Sequence, residues 1–268
     1  MESRLDVMLV LKGLVNSRSK ATMLIHDGKI KINDKIITKP AYLVNDNDNI
    51  IILENELLKY VSRGGLKLQR ALDIFKVDVN NLFCLDIGSS TGGFTDCLLK
   101  HGASRVIALD VGTSQLHESL RNDKRIVVLE NTNFKDVNEE LVKDVDLFVA
   151  DVSFISIRKI LSHLKEIKEN FKIIILFKPQ FEVGPAALNA KGVVKNENIL
   201  VRALEDFNIY LQTNNIFTKQ VTYSPFKGQD GNIEFLFYLT TDKNVYNYSP
   251  KILVKEAINN LHAKRTIY

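Results

Sequence analysis

The segment LFCLDIGSSTGGFTDCLLKHG, Leu82 to Gly102, decides the fold. LFCLDIG is a short, nearly unbroken apolar run, the pattern of a strand buried on both faces. TGGFTDCLLKHG opens on glycines and continues as a helix. Strand, glycine turn and helix together make a ligand site, because glycines permit a sharp turn and leave a helix N-terminus open. The loop lacks the GxGxxG spacing of dinucleotide binding and the GK[ST] of a phosphate loop. Asp86 at the strand end is a poor neighbour for phosphate. It suits a cationic amino-acid ligand, such as the ammonium and sulfonium of S-adenosylmethionine.

The same alternation continues downstream. RVIALDVG, RIVVLENTN, VDLFVADVSF and FKIIILFKPQF read as further strands. SQLHESLRND, ISIRKILSHLKEI and NENILVRALEDFNIYLQTNN read as helices between or after them. TKQVTYSPF and GNIEFLFYLT supply two more strands, and SPKILVKEAINNLHAKR a terminal helix. Apolar strands alternating with helices predict a doubly wound α/β sheet, whose ligands lie at the C-terminal strand ends. Polar residues stand at four such ends. Asp110 closes the second and can accept ribose hydroxyls; the amide-rich ENTNF closes the third; Asp151 closes the fourth.

Residues 1–58 follow a different pattern. RLDVMLVLKGLV and SRSKATMLIHDG read as two short helices, the second capped by Ser17 and closed by Gly28. KIKIND alternates as a strand, and further turns and short strands follow. The expected organisation is an N-terminal module over 1–58, a linker over 59–66, the α/β domain over 67–243 and a C-terminal helical segment over 244–268.

The 268 residues are 45% apolar and 25% charged, an ordinary globular composition. No apolar run approaches the roughly 18–20 residues that cross a bilayer, and the N-terminus does not read as a signal peptide. Cys84 and Cys97 sit in apolar segments without metal-ligand spacing, so reduced thiols, a cytoplasmic setting and no metal are expected. Net charge is only +4, but it is uneven. Residues 1–40 carry eight Lys/Arg against four Asp/Glu, and residues 59–76 carry five against one. Two basic blocks point to a polyanionic partner, or else to solvated charged faces.

Two charged residues interrupt apolar strands: Lys178 in IIILFKPQFE and Glu234 in GNIEFLFYL. Each needs a partner, in a structural ion pair or in catalysis. YVSRGGLKL, Tyr60 to Leu68, raises the same question for Lys67, with Gly64 and Gly65 expected to bend the chain between modules.

YVSRGGLKL, DIGSSTGGFTD, ADVSFISI, FKPQFEVG and GNIEFLFYL, in this order, resemble the TlyA family of ribosomal RNA 2'-O-methyltransferases, also called hemolysin A. SRSKATMLIHDGKIKIND is similar to the αL RNA-binding module of a small-subunit ribosomal protein. The resemblance implies an FtsJ-like, Rossmann-like class I sheet of seven strands and a small α+β RNA-binding domain. It further implies S-adenosylmethionine as cofactor, ribosomal RNA or a ribosomal subunit as partner, and a catalytic tetrad of Lys67, Asp151, Lys178 and Glu234. Neither a membrane nor an obligate protein partner is implied.

The loop assigns the cofactor to Asp86, Gly88, Ser89, Ser90, Thr91, Gly92, Gly93 and Phe94. The other strand ends add Asp110, Val111, Asn131, Thr132, Asn133 and Asp151. Candidate phosphate contacts are Arg4, Arg18, Lys20, Lys29, Lys31 and Lys39, with Arg63 at the domain seam or on the RNA backbone. Lys178 would steer or deprotonate a ribose hydroxyl, acting as a neutral base or as a fixed charge. The competing readings are a membrane-acting hemolysin, an RNA-binding protein without transferase activity, and a methyltransferase acting on protein or small molecules.

Overall fold

The computed structural model describes residues 2–15, 17–53, 59–228, 230–243 and 246–263. The expected module boundary at residue 58 and parts of the C-terminal segment, 244–245 and 264–268, lie outside these.

The N-terminal module packs α1 (Leu5–Leu11) on α2 (Arg18–His26) beside short strands. Strand β1 (Glu2–Arg4) pairs with β4 (Leu43–Asn45), while β2 (Ile30–Ile32) lies between β3 (Lys35–Ile36) and β5 (Ile50–Ile52). Ser17 caps α2 by accepting the Lys20 N–H at 3.2 Å. Asn33 and Asp34 take the left-handed conformation between β2 and β3, the backbone a two-residue hairpin requires. Leu5, Leu9, Leu24, Ile25 and Ile30 are fully buried, and they belong to one apolar cluster with Tyr60, Leu68 and other residues of the large domain.

The large domain is a seven-stranded sheet in the order β11-β12-β10-β9-β6-β7-β8. Its members are β6 (Phe83–Ile87), β7 (Arg105–Leu109), β8 (Ile126–Leu129), β9 (Leu147–Ala150), β10 (Lys172–Phe177), β11 (Phe217–Tyr223) and β12 (Phe235–Thr240). Six strands run in one sense. β12 is antiparallel to both neighbours, because the chain turns back from β11 and inserts β12 beside β10. Helices α3 (Gly64–Phe75), α4 (Gly93–Lys100), α7 (Ile157–Ile167), α8 (Glu197–Thr213) and α9 (Pro250–Ala263) cover the sheet, and α5 (Glu118–Arg121) and α6 (Glu139–Val142) are single turns. The central strands are buried along nearly their whole length. Among the described residues no helix is long and apolar enough to cross a membrane.

Two local expectations are corrected. The span from Ser114 was read as helix, yet only 118–121 is helical. Glu130 explains this: its carboxylate accepts the N–H groups of Ser114, Gln115 and Leu116 at 2.8–3.0 Å, holding that segment as a loop. Gly64 and Gly65 do not bend the chain, since both lie inside α3. They permit close approach instead. A Cβ on Gly65 would meet the Tyr60 ring at 2.4 Å, and one on Gly93 would meet Gly65 N at 2.9 Å, so α3 crosses the start of α4 on bare backbone.

Candidate active site

The cofactor loop hangs on its neighbouring strand. Gly88, at φ +80°, and Ser89 both donate their N–H to Leu109 O, at 2.8 and 3.0 Å. Asp110, almost wholly buried, accepts Ser90 N on one carboxylate oxygen and Gly112 N on the other, at 2.8 and 2.7 Å. These donors fix the carboxylate and leave lone pairs for further hydroxyl donors.

Asp86 is placed behind this loop. It is completely buried, lines neither cavity described below, and one of its oxygens accepts both Thr95 N and Thr95 Oγ1, at 2.9 and 2.7 Å. The residue expected to face a cationic ligand thus caps α4 from within the sheet, satisfying one of the helix's free N–H groups. Its other oxygen, Oδ1, is buried without a partner. Burial raises the Asp86 pKa to about 7 from an ordinary 3.8, against the opposing Thr95 hydrogen bonds. A raised acid contributes stability that is complete below the unfolded pKa and is lost as pH climbs through the folded one. Asp86→Asn is therefore expected to flatten the stability profile between about pH 4 and 7, in thermal melts taken at stepped pH. A wild-type slope in the variant would assign the titration elsewhere.

Gly92 also departs from its expected role. A Cβ there would lie 2.3 Å from Leu120 Cδ1 and 2.7 Å from Leu116 Cδ1, so its missing side chain makes room for the α5 segment rather than for a ligand.

Two adjoining cavities open at the C-terminal strand ends, sharing Gly88, Ser90, Asp151, Ser153 and Phe154. The first, of about 430 Å³, has apolar walls from Leu109, Val111, Val152, Ile155 and Ile160, with Asp110, Gln115 and Asn133 as polar groups. Asn131 and Thr132 do not line it. Asn131 is left-handed and donates its N–H to Gly112 O, while the Thr132 hydroxyl turns back to Glu130 O. Both serve the turn that carries Asp110.

The second cavity, of about 560 Å³, is lined by Lys67, Asp151, Lys178 and Glu234 together, and by Ser89, Thr91, Gly93, Phe94 and Arg63. α3 supplies Lys67, the end of β9 supplies Asp151, and the end of β10 supplies Lys178. Glu234 stands immediately before β12, outside the strand the sequence pattern placed it in. The four form two ion pairs. Lys67 Nζ lies 2.6 Å from Glu234 Oε2, and Lys178 Nζ lies 2.7 Å from Asp151 Oδ1. Lys178 also donates to Ser153 Oγ at 2.7 Å. The Lys67, Glu234 and Lys178 side chains are 13%, 3% and 10% exposed, so these charges are held where water screens them poorly.

The fit to S-adenosylmethionine rests on buried groups that lack partners. Ser89 Oγ lines the second cavity, is buried and has no hydrogen-bond partner, which suits the polar amino-acid end of such a ligand. The apolar walls beside Asp110 suit an adenosine.

Ser153 and Phe154 carry no role in the sequence reading. Phe154 is 92% exposed and left-handed, at φ +63°, with its ring 5.4 Å from Phe181. An aromatic held in a strained conformation at the seam of both cavities can stack on a nucleotide base. As sequence, an apolar residue after a buried strand looks like core, and no local signal sets it apart. Phe154→Ala is expected to weaken binding of a stacked base roughly tenfold with cofactor affinity unchanged, as read by calorimetry.

The basic candidates separate by environment. Arg4 and Arg18 both bind Asp6. Lys20 does not face outward: its Nζ donates to Tyr60 O at 3.3 Å at the seam between modules, and burial there lowers its pKa. Lys29 and Lys31 are half-buried, Lys39 is exposed, and Arg63 lines the second cavity.

Sheet order, strand-end loop and cavities define a class I methyltransferase domain, joined here to a small α+β module. Residues 60–241 match the FtsJ-like methyltransferase family model and residues 3–50 match the S4 domain model. The chain is 43% identical to hemolysin A of Brachyspira hyodysenteriae over 238 residues, covering 87% of this chain and 98% of the relative. It is 41% identical to the 16S/23S rRNA (cytidine-2'-O)-methyltransferase TlyA of Mycobacterium tuberculosis over 241 residues, covering 89% and 90%. A solved structure described as a hemolysin from Streptococcus thermophilus superposes with a TM-score of 0.78 at 35% identity, covering 99% of this chain and 98% of that one. The chain belongs to the TlyA/hemolysin A family of FtsJ-like methyltransferases with an N-terminal S4 domain.

Proposed function

We propose that this protein methylates a ribose 2'-hydroxyl of ribosomal RNA, using S-adenosylmethionine and the tetrad Lys67, Asp151, Lys178 and Glu234, with the assembled subunit or its precursor as substrate. The observation that carries the reading is the convergence of two lysine–carboxylate pairs on the cavity beside the cofactor loop. The cofactor supplies an activated methyl group on sulfonium. What remains for the protein is to align a hydroxyl with that methyl and to handle one proton.

Asp110 would hold the cofactor's ribose, Val111 and Asn133 would flank its adenine, and Ser89 would meet its amino-acid end. Asp151, shared by both cavities, would stand beside the transferring methyl and orient Lys178. An ammonium has three donors. Ser153 accepts from Lys178 Nζ and Asp151 pairs with it by charge, in the cavity where the 2'-oxygen would arrive. Lys67 and Glu234 would complete an alternating cluster of charges around the same cavity.

The S4 module and Arg63 would grip the RNA backbone while Phe154 receives the target base. Such contacts position the substrate without reading its sequence. A ribosomal RNA substrate places the reaction in the cytoplasm.

The test incubates the full-length protein with methyl-labelled S-adenosylmethionine and, in separate arms, 16S and 23S rRNA transcripts and assembled subunits lacking the modification. Labelled RNA is digested to nucleosides for mass spectrometry. A 2'-O-methylated nucleoside is expected. Label on a base, or on protein alone, would overturn the assignment.

A further inference from the structure

We propose that Asp6 is a positioning residue for RNA, holding Arg4 and Arg18 as one two-armed clamp for neighbouring phosphates, so that an acid strengthens the grip on a polyanion. This rests on the RNA-binding reading above and concerns a residue outside both cavities.

Asp6 sits in the first turn of α1 with its side chain only 4% exposed. Arg4 reaches it from the end of β1 with Nε to Oδ1 at 2.9 Å and NH2 to Oδ2 at 3.1 Å, a two-point contact. Arg18, at the start of α2, donates to Oδ2 at 2.9 Å. One carboxylate thus joins three elements. Meanwhile the arginines remain 48% and 62% exposed. Each guanidinium has five donors and spends only some of them on Asp6, so both keep N–H groups for phosphate oxygens.

The base of the clamp is fastened independently of the carboxylate. Asp6 N donates to Pro40 O and Leu5 N to Tyr42 O, while Tyr42 N donates to Lys39 O. The turn carrying exposed Lys39 is therefore docked beside the two arginines. Asp6 itself is strongly acidic, its pKa lowered to about 2, with the Arg4 hydrogen bond the largest cause. It stays charged wherever RNA is bound.

The energetic logic separates this role from simple charge counting. By Coulomb's law an acid near bound phosphates weakens binding, and removing it should tighten the complex. Two long side chains held in the binding geometry before encounter act in the opposite direction, because their ordering cost is met in the free protein. Each immobilised side chain of this kind is worth enough that freeing two outweighs one partly shielded repulsion.

The experiment measures affinity of the full-length protein for 16S and 23S rRNA transcripts by filter binding over a range of salt, beside transfer kinetics. Asp6→Asn is expected to weaken binding roughly tenfold despite removing a negative charge, with the loss in KM for RNA rather than in kcat. In an Arg4→Gln/Arg18→Gln background the same change is expected to cost nothing. Arg4→Lys, which leaves the buried acid in place and keeps the charge but not the two-point contact, is expected to weaken binding severalfold. Asp6→Asn binding as tightly as wild type or tighter, equal loss in the two backgrounds, or wild-type affinity in Arg4→Lys would each overturn the proposal. Wild-type protein showing no salt-dependent affinity for either transcript would instead remove the RNA reading itself.

Discussion

Lys178→Ala is expected to lower methyl transfer by roughly 10²–10⁴-fold while leaving S-adenosylmethionine affinity within about twofold of wild type. Lys178 lines the larger cavity and not the apolar one assigned to adenosine, so the two effects separate. Its ammonium is held by Asp151 and Ser153, and that placement is what the alanine removes. Single-turnover transfer of a labelled methyl group measures the first quantity and calorimetry the second. Retained turnover would take Lys178 out of the mechanism. Lys178→Arg then distinguishes its two possible roles. A guanidinium stays protonated, so an arginine variant that keeps much of the rate assigns Lys178 to steering by charge. One as inactive as the alanine variant, while binding S-adenosylmethionine as wild type does, assigns it to proton transfer.

What the sequence revealed about this site follows from how far apart its parts lie. The strand–turn–helix over β6 and α4 was legible because strand, glycines and helix are contiguous. Lys178 and Glu234 stood out because a charge among large apolar residues needs an explanation wherever it occurs. Asp151 showed only as one of four polar strand ends and Lys67 only as one basic residue beside a glycine pair, and the family resemblance alone joined them to the tetrad. The Lys67–Glu234 partnership spans 167 residues, beyond any periodicity. The errors have a common cause as well. Glycine, aspartate and asparagine were assigned to the ligand because they occur at strand ends, where they also cap helices and shape turns. Asp86 is spent on Thr95, Gly92 on Leu116 and Leu120, and Asn131 on the turn that carries Asp110. Glu130 went unassigned although it holds the 114–116 segment beside the first cavity, because its partners are main-chain groups that no side-chain pattern reports.

Glu234→Ala is expected to destabilise the fold by about 3 kcal/mol and to abolish transfer. The figure is the lower part of the range for breaking a buried ion pair, because Lys67 keeps a little exposure with which to find water. Loss of activity in that variant alone would be ambiguous, since an unfolded enzyme is also inactive. Lys67→Met/Glu234→Leu resolves it. Replacing both partners with apolar groups of similar size removes the unpaired charge and its desolvation cost, so most of the lost stability should return. Chemical denaturation of the three proteins measures this directly. If the pair serves only to join α3 to the segment before β12, the double variant regains activity with its stability. If the pair sets the charge order around Lys178, the double variant folds as well as wild type, binds S-adenosylmethionine, and transfers no methyl. The second outcome is expected. Glu234 is 3% exposed and lines the same cavity as Lys178, so the structure retains a charge whose burial is costly in a place where an apolar residue would fit. A pair kept only for stability would have no need to face that cavity.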